Sequence, residues 1–166
     1  MTSPTSHMQS WRVLLHLAAS LGWDAQQVDV KTVFLYSLLP EEEVWYMEQP
    51  ARFKETGKED WVWKLVCGLY SMKQSRHIRN KTTNDNMLMW EFTRLTCMSC
   101  IYCQGTTTGT IIVAVHVSVF LMITSSKAEN KKLKTQMQEA WTILDLGTVH
   151  FVYVKDRILR LFRFRI

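Results

Sequence analysis

Between Ile111 and Ile123 the chain reads IIVAVHVSVFLMI, an apolar run interrupted only by His116 and Ser118. A bilayer-spanning helix needs about 20 such residues, so this run belongs inside a folded core. Its Val and Ile content favours extended backbone, and a tight turn at His116–Val119 divides it into two strands. Both strands read as buried. The turn itself is unusual. Surface turns carry polar residues and turns in active sites carry charged ones, whereas this one offers a histidine and a serine among valines.

The surrounding sequence supplies mixed elements. Met8, Trp11, Leu14, Leu15, Ala18 and Leu21 recur at helical spacing and predict a helix over 7–21, ended by Gly22. A buried strand is expected near Gln26–Val30. VWYMEQP reads as a short strand stopped by Pro50, with WVWKLV as its hairpin partner across the polar turn KETGKED. Lys73–Trp90 contains no Gly or Pro and reads as a second helix. SCIYCQ and TIIVAVHV are two strands joined by GTTTGT. Ser126 precedes Glu129 by three residues, the pattern of a capping box. The helix behind it is expected to align Leu133, Met137, Ala140, Trp141 and Leu144 and to close at Gly147. One or two more strands follow in VHFVYVKDRILRLFRF. The order is α+β, with hairpins and no internal repeat.

Composition bounds the function classes. The 166 residues are 47% hydrophobic, which excludes a disordered chain. The net charge of +5 is uneven: Lys155, Arg157, Arg160, Arg163 and Arg165 face one acid, Asp156, in the last dozen residues. Nucleic acid is one partner that such a tail suits. The start MTSPTSHMQSW has no secretory pattern, and an intracellular, reduced setting without a membrane partner is expected. Cys97, Cys100 and Cys103 have iron–sulfur-like spacing, but cysteines three apart on a strand point to opposite faces, and only Cys67 remains as a fourth ligand. The five histidines are scattered. Asp29 stands apart, because a carboxylate between valines at a strand end is costly to bury unless it is paired or bound to a cation. A capping aspartate is the alternative for that residue.

The stretches VDVKTVFLYSLLPEEEVWYMEQPARF, GKEDWVWKLVCGLYSMKQS, TIIVAVHVSVFLMITSSKAENKKLK and WTILDLGTVHF, in that order, resemble copia-type LTR-retrotransposon reverse transcriptases. The family patterns are D-V-K-T-A-F-L-N-G with a following Y-M-x-Q-P-x-G-F, then K-L-x-x-x-L-Y-G-L-K-Q-S, then a strand, a Y/H-V-D-D turn, a strand and a helix, and last D-L-G. The resemblance implies an antiparallel palm-like sheet with helices packed on one face. It implies a tail over 1–10, the palm-like region over 11–151 and a divergent basic tail over 152–166. The family's basic fingers segment is expected to be lacking, as are a thumb and a ribonuclease H segment. The tail is compatible with a shifted reading frame.

The resemblance also implies roles. Asp29 falls at the metal-binding aspartate, Phe34 at the aromatic under the incoming sugar, and Lys73 and Gln74 in the nucleotide-binding motif. Ser118 and Val119 fall where the family has its two turn aspartates. The expected cofactor is Mg²⁺, with RNA or DNA template–primer as partner. Nucleotide addition uses two divalent cations held by hard oxygen ligands. Asp29 is the one expected carboxylate left, so productive metal binding and polymerase activity are not expected. A non-catalytic nucleic-acid-binding or protein-interaction module is the alternative. Two family glycines are replaced by Ser37 and Ser71, and the aromatic after Ser75 by Arg79. Trp11, Trp45, Trp61 and Trp90 are candidates for uncovered apolar surface and hence for self-association.

Overall fold

The computed structural model describes residues 6–32, 35–36, 38–42, 44–69, 72–149, 151–154 and 157–160, with backbone alone at Lys73 and in the last two stretches. Phe34, Ser37, Tyr70 and Ser71 therefore lie outside the described residues. The chain forms two compact units, a smaller one built on Thr32–Thr83 and a larger one on Pro4–Lys31 with Asn84–Ile166.

In the larger unit, helix α1 (Met8–Leu21) ends at Gly22, whose left-handed backbone (φ 67°) satisfies the last carbonyls. Strand β1 (Asp24–Val30) follows. The smaller unit holds β2 (Tyr46–Glu48), a single helical turn at Ala51–Phe53 and β3 (Val62–Lys64), which pairs antiparallel with β2. Helix α2 (Lys73–Met89) runs from the smaller unit into the larger. There β4 (Thr93–Arg94), β5 (Ile101–Thr106), β6 (Gly109–His116) and β7 (Val119–Thr124) are followed by α3 (Lys127–Ala140) and β8 (Ile143–Thr148). β9 (Phe151–Val154) and β10 (Arg157–Arg160) pair as a separate antiparallel hairpin.

Six strands form one sheet in the order β4-β5-β6-β7-β1-β8, with every neighbouring pair antiparallel. The two strands of the apolar run, β6 and β7, sit in its middle. Both of their faces are buried, and the covering helices are divided accordingly. Trp11, Leu14, Leu15 and Ala18 of α1 pack on Ile101, Ala114, Leu121 and Ile123. The opposite face carries Phe120, whose ring meets Trp141 just after α3 at 5.5 Å, and Asp24, which accepts a 2.7 Å hydrogen bond from Asn130 of α3. The expectation of helices on one face is thus corrected. A strand that is apolar on alternate and intervening positions alike leaves no face that water can cover.

Two further expectations are revised. Ser126 occupies the N-cap position of α3, but its side chain makes no cap bond. Glu129 instead receives the Thr108 hydroxyl, so its carboxylate ties the β5–β6 turn to the helix. The helix also stops earlier than its spacing suggests. Trp141 takes extended backbone, and Leu144 and Gly147 belong to β8. The edge pairing of β8 with β1 and the packing of Trp141 on Phe120 outweigh continued helical periodicity. Trp11, expected at the surface, is 1% exposed, and its indole N–H donates to Ser6 Oγ at 2.7 Å.

Candidate functional site

β6 and β7 are joined by the two-residue turn Val117–Ser118, with His116 paired to Val119. Val117 has φ 52°. Positive φ at the first central residue gives a hairpin turn whose twist matches that of the strands, a position that glycine normally fills. The turn is held where the apolar pattern divides the run, and its conformation is imposed on a valine by the strands on either side.

β1 lies against β7 with Asp29 directly opposite Val119, and the Val30 N–H donates to Ser118 O at 2.8 Å. Asp29 and Val119 therefore form the neighbouring non-hydrogen-bonded pair, in which opposing side chains approach most closely. The structure brings Asp29, Ser118 and Val119 together, 89 residues apart in sequence, at one end of the sheet. Asp29 Oδ1 is sealed from solvent and has no hydrogen-bond partner among the described residues. Such an orphaned oxygen is a donor atom suited to a cation. The rest of the set does not fit a paired-ion centre: Ser118 offers one neutral hydroxyl and Val119 only methyl groups. Among the described residues no group of three His, Cys, Asp or Glu side chains converges.

The turn is also held from its other side, by a segment that no motif points to. Ser6 O lies 2.9 Å from His116 Nδ1, and the Ser6 N–H donates to Val115 O at 3.4 Å. A carbonyl only accepts, so the first contact places a proton on Nδ1. The Trp11 ring meets His116 edge-on at 6.2 Å. The chain just before α1 is thus fastened to the strand that feeds the turn. No local pattern signals a contact between residues 110 apart.

Gln74 lies in the first turn of α2, in the smaller unit, and the Lys73 side chain is not described. Beside them Ser75 is buried against Gly68, where an added Cβ would come within 2.5 Å of Ser75 Oγ. Gly68 is required here by close approach. The three spaced cysteines do not share an environment. Cys97 is exposed, Cys100 is buried, and Cys103 is half-buried on β5, where desolvation pushes its thiol pKa up and disfavours a thiolate ligand. A cavity of about 250 Å³ edged by Trp90, Glu91, Gln104, Glu129, Lys132 and Gln136 opens on the α3 side of the sheet, on the face opposite Asp29.

Residues 1–156 match the model of one family, described as reverse transcriptase (RNA-dependent DNA polymerase). The chain belongs to this reverse transcriptase family. Its relatives are copia-type transposon proteins. It is 35% identical over 146 residues to the retrovirus-related Pol polyprotein from transposon TNT 1-94 of Nicotiana tabacum, covering 87% of this chain and 11% of that protein. It is 30% identical over 122 residues to a transposon Ty5-1 protein of Saccharomyces cerevisiae, covering 74% of this chain and 39% of that one. A third relative is the Pol polyprotein from transposon RE2 of Arabidopsis thaliana, 34% identical over 73 residues. The chain spans about a tenth of the first relative's length and under half of the second's. No solved structure gives a significant match. Within the reverse transcriptase family, then, this chain is a copia-type member, with Ser118 in its β6–β7 turn and Val119 opposite the strand-end Asp29.

Proposed function

We propose that the chain is a copia-type reverse transcriptase palm region, with residues 11–151 as its palm-like part, that has lost nucleotide transfer. The observation that carries this reading is the pairing of Asp29 with Val119. A carboxylate at that position would face Asp29 across the two strands and complete an acidic cluster; a valine leaves Asp29 by itself. Ser118 occupies the other position, with a neutral oxygen that is a poor substitute for a charged ligand to Mg²⁺. Each tenfold loss of rate corresponds to about 1.4 kcal/mol of barrier, and losing two ion-gathering carboxylates removes several such factors. Phe34, Lys73 and Gln74 are assigned to the nucleotide side of the site on family resemblance.

Primer extension on an RNA or DNA template with Mg²⁺ or Mn²⁺ tests the reading. The expected result is incorporation equal to that of an Asp29→Ala control. Template-dependent synthesis well above that control overturns it.

A second reading, in which the palm region still holds template–primer without acting on it, is favoured by the net charge of +5 and its concentration after Val154. Contacts of this kind go to phosphates and are independent of base sequence. An intracellular setting belongs to the same reading; among the described residues no helix is long and apolar enough to cross a membrane.

A further inference from the structure

On the face of the sheet away from Asp29, the cavity of about 250 Å³ is walled by the end of α2, by β5 and β6, and by α3. At about 30 Å³ for each water it has room for about eight, the size of a small organic molecule. Part of its lining is the buried apolar pair Ile111 and Leu133. Trp90 stands on another side, its ring set edge-on against Trp141 with centroids 5.3 Å apart. These walls belong to the packed core, so the cavity is formed before any ligand enters it, and little ordering remains to oppose binding.

What the polar walls offer is mainly hydrogen-bond acceptors. Glu129 is only 9% exposed. Its Oε1 receives the Thr108 hydroxyl, and its Oε2 has no hydrogen-bond partner among the described residues. No lysine or arginine among the described residues is paired with it. A carboxylate buried in this state is costly unless something positive joins it. Gln104 donates its amide N–H to Trp90 O at 3.0 Å, which leaves its Oε1 as a further acceptor. Glu91 adds a second carboxylate at the exposed rim, again with no ion pair among the described residues. It follows closely on the C-terminal end of α2, where the helix dipole is negative. Against these stands one cation of the lining, the exposed Lys132.

We propose that this cavity binds a small organic cation, an alkyl guanidinium or alkyl ammonium. The N–H groups of its head satisfy Glu129 Oε2 and Gln104 Oε1, and its alkyl part lies against Trp90 and Leu133. A bare metal ion suits the cavity less well. Among the described residues no three His, Cys, Asp or Glu side chains converge, and part of the lining is apolar. Lys132 repels the ligand's charge and limits the affinity. The site lies apart from Asp29 and does not depend on whether nucleotide transfer is retained.

Isothermal titration of the full chain with n-butylguanidinium tests this, with n-butylurea as a neutral analogue of the same shape. One equivalent of the guanidinium is expected to bind with a Kd of about 0.1–1 mM, in keeping with its few atoms. The urea should bind about tenfold more weakly or less well still. Glu129→Gln keeps an acceptor for Thr108 and should weaken binding about tenfold or more at unchanged circular dichroism. Lys132→Gln should tighten binding about threefold, a gain that misfolding does not produce. Glu139→Gln, on the same helix but outside the cavity, should leave the affinity as it is. The absence of saturable binding overturns the proposal. So does equal affinity for the urea, indifference to Glu129→Gln, or an equal loss on Glu139→Gln. Weaker binding on Lys132→Gln also overturns it, because the cavity would then select an anion.

Discussion

A valine at φ 52° carries a steric penalty of about 1–2 kcal/mol that glycine would avoid. Val117 bears it because both flanking strands are buried and paired through the turn. Asp29 is the second residue held against its own preference. An unpaired buried oxygen costs about 1–3 kcal/mol, and nothing among the described residues offsets that cost at Oδ1. Asp29→Val, placed opposite Val119, should therefore raise stability by about 1 kcal/mol in urea unfolding. A clear loss instead would mean that the carboxylate has a partner in solution. The complementary change is Ser118→Asp with Val119→Asp. Three carboxylates then crowd one end of the sheet and repel one another when no cation is present. The doubly substituted protein should be less stable than the parent without divalent cation and gain about 1–3 kcal/mol on saturation with Mg²⁺ or Mn²⁺, while the parent's melting temperature stays fixed. An equal response in both proteins would show that the present side chains already gather metal.

At the level of elements, β8 and α3 are joined by an ion pair that fixes the sheet edge next to Asp29. Lys134 Nζ lies 2.7 Å from both oxygens of Asp145, and the Gly147 N–H donates to Oδ1 at 2.9 Å. Desolvation pushes the Asp145 pKa up and is the largest single influence. The Lys134 hydrogen bond, the Gly147 N–H and the Lys134 charge together outweigh it, so the carboxyl titrates below its ordinary 3.8. A group with a depressed folded-state pKa contributes its stability above its unfolded pKa, and that contribution is lost as pH falls through the folded value. The linkage therefore acts only below about pH 4. Asp145 is half exposed and water screens the pair, so Lys134→Ala should cost about 0.5 kcal/mol near neutral pH. It should also flatten the acid limb of a stability–pH curve measured by urea unfolding. An acid limb identical to the parent's would assign the acid sensitivity to other carboxylates.

For the whole molecule, the charge is unevenly spread. The smaller unit is close to neutral, with seven acidic and eight basic residues in 32–83, while the excess of cations after Val154 attracts phosphate. A labelled primer–template should bind weakly, with an affinity that falls steeply from low to high salt and does not depend on base sequence. Substituting the five cations of residues 155–166 by neutral residues should remove most of that salt dependence. Undiminished binding would place the interaction on the palm region instead.

The periodicity of α1, the division of the apolar run into β6 and β7, the pairing of β2 with β3 and the four collinear motifs were all legible in the chain, because each depends on residues close together in sequence. Asp29, Ser118 and Val119, distant in sequence, were nameable together only through the family resemblance of the motifs that carry them. The end of α3, the unused cap at Ser126 and the burial of Trp11 were not legible. Each is decided by a partner far along the chain: Phe120 for Trp141, Thr108 for Glu129, and His116 for Trp11. The sequence by itself determined which chemical groups are present in the turn, and that the carboxylates expected there are missing. Only the tertiary structure decided that Val119 stands directly across from Asp29 and that helices cover both faces of the sheet. Strand register and the choice of covering face arise from pairing and burial between distant segments, and local pattern does not encode them.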